Sequence, residues 1–88
     1  MSNKYSVIPI RVIFDDYNQA YDIVFGIKNN ETQDTVYAES TLIHLKFIPE
    51  NTMPSGIIQL AYDKIKDKLN NKINELDMFQ NLIGKPIE

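Results

Sequence analysis

Apolar and polar residues alternate through the first half of the chain, and then the period changes. Ile8, Ile10, Val12 and Phe14 fall at every second position, so a strand would set all four on one face. That face is expected to meet a covering layer, with Tyr5, Val7, Arg11 and Ile13 on the other. Pro9 has no amide hydrogen and belongs at a sheet edge, at a bulge, or where its nitrogen points away from a neighbouring strand. Asp15 to Gln19 is rich in turn formers. Beyond it, Tyr21, Ile23, Phe25 and Ile27 alternate with Asp22, Val24, Gly26 and Lys28, a clean strand pattern. A second polar turn, Asn29 to Asp34, leads into Thr35 to Ile48, where β-branched and aromatic residues return.

The expected strands therefore span 5–14, 21–28 and 35–48. The third keeps no single parity, because Val36, Ala38 and Leu42 are even while Ile43, Leu45 and Phe47 are odd. A bulge or break near Glu39 to Thr41 would reconcile the two sets and create a fourth short strand.

Past Pro49 to Pro54 the apolar spacing lengthens. Ile58, Ala61, Ile65, Leu69, Ile73, Leu76 and Phe79 recur every three or four residues, which predicts a helix over 55–82. Ser55 or Thr52 is expected to cap its start, Pro54 fits a first turn, and Gly84 and Pro86 mark its stop. This rotation turns Ile65, Leu69 and Ile73 toward the sheet and Lys64, Lys68 and Lys72 toward solvent. The expected fold class is α+β: one two-layer domain over 1–88, with a three-stranded, or four-stranded, antiparallel meander packed against one long C-terminal helix.

Composition narrows the chemistry. A hydrophobic content of 43% beside 24% charged residues suits a folded domain rather than a disordered chain. The absence of cysteine removes disulfides, thiolate nucleophiles and cysteine-based zinc sites. No apolar run has the length of a signal peptide or a membrane span, so the expectation is a cytoplasmic protein away from membranes. Abundant Ile, Asn and Lys beside a single Arg suggest an AT-rich coding sequence, as in a low-GC bacterium or its phages.

No cofactor is expected, and three candidate sites dissolve into ordinary structure. His44 is the only histidine, and a small enzyme would have to use it as its near-neutral base. It lies in an alternating strand with no marked nucleophile. Asp15, Asp16 and Asn18 crowd oxygens together as a divalent cation requires, yet lack the glycine and distal Glu of an EF-hand and suit a turn equally well. The stripe of Lys64, Lys68 and Lys72 is the nearest approach to a nucleic-acid footprint, but Asp63, Asp67, Glu75 and Asp77 share that helix and the net charge is −3.

An apolar surplus points elsewhere. With the helix on one sheet face, Val7, Ile13 and Val24 are left on the other, while Met78, Phe79, Leu82 and Ile83 overhang the sheet at the helix end. Contiguous exposed apolar area marks interfaces. The expected function is thus a non-catalytic protein-binding or assembly protein, as a homodimer or with another protein partner, serving as an assembly component or an inhibitor. A nucleic-acid-binding module using the lysine stripe is the alternative, and an enzyme using His44 the third.

Overall fold

The computed structural model describes residues 4–87. Three strands, β1 (Tyr5–Asp15), β2 (Ala20–Asn29) and β3 (Thr35–His44), form one antiparallel sheet in the order β1-β2-β3. A short 3-10 turn, Leu45–Phe47, follows, and then one long helix, α1 (Pro54–Gln80). The architecture is the expected α+β meander under a C-terminal helix. Both hairpin turns use local side-chain chemistry: Asp15 accepts from the Asn18 amide, and Asn29 accepts from the amides of Glu31 and Thr32. Gln19 and Gln33 close these turns in the left-handed region, with φ of 49° and 67°.

The sheet faces differ from the expectation in β1. Pairing runs Tyr5 with Asn29 and Pro9 with Phe25, then resumes with Arg11 opposite Val24 and Val12 opposite Ile23. Ile10 is therefore the extra residue of a bulge beside Pro9, and one extra residue reverses the parity that faces the core. Tyr5 and Val7 lie on the helix side, where Tyr5 is buried and Val7 packs against the core. Ile8 and Ile10 fall on the opposite face; a Cβ built on Gly26 would touch the Ile10 side chain at 3.4 Å. Beyond the bulge Val12 and Phe14 return to the helix side, and Phe14 meets Tyr21 edge-on with ring centres 5.1 Å apart.

The third strand also departs from expectation. Its irregularity lies at Val36, between the pairs Ile27–Tyr37 and Lys28–Thr35, not near Glu39 to Thr41. From Tyr37 onward one parity holds: Ile43 is buried under the helix and Leu42 is on the outer face. The strand ends at His44, and Leu45 and Phe47 belong to the 3-10 turn, so no fourth strand forms among the described residues. The mixed parity arose because Leu42 and Ile43 lie on opposite faces and Leu45 and Phe47 lie beyond the strand.

The helix begins at Pro54 and ends at Gln80, inside the expected 55–82 at its far end. Neither expected cap forms. Met53 occupies the cap position without a side-chain bond, and the Thr52 hydroxyl donates backward to the carbonyl of Pro49. Residues 81–84 continue as tight turns, with Gly84 left-handed at φ 85°.

The core is small: Ile23, Phe25 and Ile27 from β2, Tyr5 and Ile43 from the flanking strands, and Ala61 and Leu69 from α1. Ile65 and Ile73 pack against it, so the helix rotation is the one expected. Phe25 meets Tyr62 edge-on at 6.0 Å. At ~1.5 Å per residue the 27 residues of α1 extend about 40 Å, and the molecule measures 55 × 24 × 21 Å. Its radius of gyration is 15.9 Å, against ~12 Å for a compact domain of this length.

Candidate interaction surface

The helix sits most closely on β3 and least on β1, and its lysines show why. Lys64 Nζ donates to the carbonyl of Leu42 at 2.8 Å, and Lys68 Nζ bonds Glu39 at 3.1 Å. Lys72 Nζ lies 5.0 Å over the ring of Tyr37 and 3.0 Å from Glu75. Tyr37 in turn donates its hydroxyl to Glu39 at 2.6 Å. Glu39 is held below the ordinary carboxylate pKa first by that hydroxyl and then by Lys68, while the same bond raises the Tyr37 phenol. Lys64 and Lys68 are exposed, as expected of a solvent-facing stripe, and Lys72 is half-buried; the ammonium groups of Lys64 and Lys68 also reach acceptors on the free edge strand β3. Charged side chains over an edge strand also discourage pairing with foreign strands.

On the β1 side the helix leaves a groove of about 590 Å³, floored by Phe25 and walled by Val7 and Pro9 on one side and Ile58, Tyr62 and Ile73 on the other. Val7, expected on the outer face, belongs to this groove.

The outer face of the sheet is uncovered among the described residues. Ile8, Ile10, Ile13, Val24, Ala38 and Leu42 occupy it, with Ile10 and Ile13 exposed by 45% and 49%. Ile13 and Val24 are there as expected; Ile8 and Ile10 were hidden from sequence reasoning by the bulge, whose signal was Pro9 within the strand. Charged residues share the face: by register Arg11, Asp22 and Lys28, with Asp15 at the turn end. Arg11 is opposite Val24 and Asp22 is opposite both Ile13 and Leu42. Asp22 Oδ1 is shut off from solvent and accepts no hydrogen bond from the described residues. The overhanging helix end forms a second apolar surface, with Met78, Phe79, Leu82 and Ile83 exposed by 56 to 68%.

The remaining candidates are held in local structure. Asp15 Oδ2 accepts from the Asn18 side chain at 2.6 Å, and Asp16 Oδ1 accepts from Gln19 at 3.0 Å. The bond from Asn18 lowers the pKa of Asp15. Among the described residues no three metal-ligating side chains cluster. His44 Nδ1 lies 3.3 Å from the backbone carbonyl of Asn18, and its ring meets Phe47 edge-on. The hollow beside it is lined by Asn18, Gln19, Leu45 and Lys46, which contribute neither a carboxylate nor a nucleophile. Among the described residues no helix is long and apolar enough to cross a membrane. The chain matches no protein-family model, and comparison with curated proteins and with solved structures gave no match.

Proposed function

We propose that this chain is a small, non-catalytic protein-binding or assembly module that docks a protein chain, its own copy or another, through its outer sheet face. The observation that carries this is the set of Ile8, Ile10, Ile13, Val24 and Leu42 on a sheet face that no layer covers among the described residues. The chain exposes 6493 Å², against ~5300 Å² for a monomer of its mass. That excess is larger than the ~800 Å² each partner contributes to a standard complex. The lysine stripe supports this reading over nucleic-acid binding, because Lys64, Lys68 and Lys72 are satisfied by Leu42, Glu39 and Glu75 within the fold.

The test is affinity capture from native cells with the parent chain and with Ile13→Asp, at a half-exposed position, after thermal melts have shown that the variant folds. A protein retained by the parent and lost with Ile13→Asp supports the proposal. Retention by both would move the docking site away from this face. Fluorescence anisotropy with DNA and RNA at two salt concentrations tests the competing class, since phosphate binding weakens steeply with salt.

A further inference from the structure

Resting on that reading, we infer that the occupant of the outer face is a second copy of this chain, in a two-fold arrangement that pairs Arg11 of each copy with Asp22 of the other. Arg11 and Asp22 carry opposite charges on one apolar face, and neither has an ion-pair partner among the described residues. Asp22 is half-buried: its Oδ1 is closed to solvent and accepts no hydrogen bond from the described residues, so a donor from another chain meets the other oxygen. Arginine is the side chain suited to supply that donor across an interface, because its guanidinium is always charged and carries five N–H donors.

Register makes the face self-complementary. Arg11 pairs with Val24, and Ile13 with Asp22, so these four residues form the corners of one rectangle on β1 and β2. Arg11 and Asp22 share one diagonal, Ile13 and Val24 the other. A two-fold axis between two facing sheets, running close to the Ile13–Val24 diagonal, exchanges Arg11 with the Asp22 of the other copy. Ile13 and Val24 then lie near the axis and each meets its own counterpart, as an isologous contact requires. Strands of the two copies cross steeply, as in orthogonal sheet packing. Ile8 and Leu42 flank the centre as the apolar border. Helix α1 is on the other side of each sheet, and the assembly is a four-layer helix-sheet-sheet-helix sandwich.

Sedimentation velocity with charge-exchange variants tests the inference. Arg11→Asp leaves acids at both positions and Asp22→Arg leaves arginines at both, so each variant alone should be monomeric. An equimolar mixture should recover the dimer, because both intermolecular pairs are then opposite in charge. An Arg11–Asp22 pair within one chain would give no such rescue. The chain lacks cysteine, so Ile13→Cys should form a disulfide-linked dimer under mild oxidation, and this readout holds even where Asp22→Arg folds poorly. A parent chain that stays monomeric at high micromolar concentration overturns the second copy as occupant, while capture sensitive to Ile13→Asp would still uphold protein docking at the face. Single variants that remain dimeric, or a mixture that remains monomeric beside an Ile13→Cys that does not cross-link, overturn the arrangement.

Discussion

Lys64 reaches from the helix to the carbonyl oxygen of Leu42 on the free edge of β3, at 2.8 Å. This contact joins the two layers at their margin and occupies an acceptor that would otherwise face solvent or another strand. Lys64→Ala is expected to cost about 1 kcal/mol, the net value of a typical hydrogen bond. The bared edge should also aggregate more readily, as unpaired edges do. Denaturant melts and light scattering measure the two effects.

Stability should fall on acidification below the ordinary carboxylate range. Asp15 and Glu39 both have depressed folded-state pKa values, from Asn18 and from Tyr37 with Lys68. A depressed acid contributes stability that is fully present above its unfolded pKa and is lost as pH falls through the folded one. Glu39→Gln should flatten part of that acid slope in thermal melts taken across pH. Tyr37 has the opposite sign: its phenol is raised, so its contribution is present below the ordinary phenol value and is lost as pH rises through the raised one.

Deleting Ile10 should leave the fold intact. The bulge accounts for one residue between the Pro9–Phe25 and Arg11–Val24 pairs, and without it β1 alternates regularly with Tyr5, Val7, Val12 and Phe14 still on the helix side. Deleting Val24 from β2 should abolish cooperative unfolding, because every later pair would shift faces. Circular dichroism of the two deletions decides the point.

Leu69→Ala should cost on the order of 2 to 5 kcal/mol through lost transfer energy and a cavity. Leu69 is fully buried at the centre of the layer interface, and domains of this kind have only ~5 to 15 kcal/mol in total. A loss below about 0.5 kcal/mol in denaturant melts, the range of surface substitutions, would contradict the packing.

His44→Gln should retain the biological activity of the parent, whatever that proves to be. The imidazole meets the backbone carbonyl of Asn18 and the ring of Phe47; the nearby Asp15 carboxylate is held by Asn18, and acid-base catalysis requires an oriented partner. A loss of ~10² or more in a folded variant, the scale of general acid-base catalysis, would restore the enzyme reading.

Local period was enough to establish the helix face and the central strand, because side-chain direction follows the backbone repeat wherever that repeat is unbroken. Ile65, Leu69 and Ile73, and Ile23, Phe25 and Ile27, were legible on those grounds, as were Ile13 and Val24 on the outer face. The first strand was misread where one residue departed from the repeat: the bulge at Ile10 is set by how β1 pairs with β2, a relation between distant segments. The same holds for the lysine stripe. Its spacing is visible along the chain, but its acceptors, Leu42 and Glu39, are 22 and 29 residues away, and only the docked helix brings them within reach. Tertiary structure likewise decided that Oδ1 of Asp22 loses solvent without gaining a donor among the described residues, because burial depends on neighbours from all three strands.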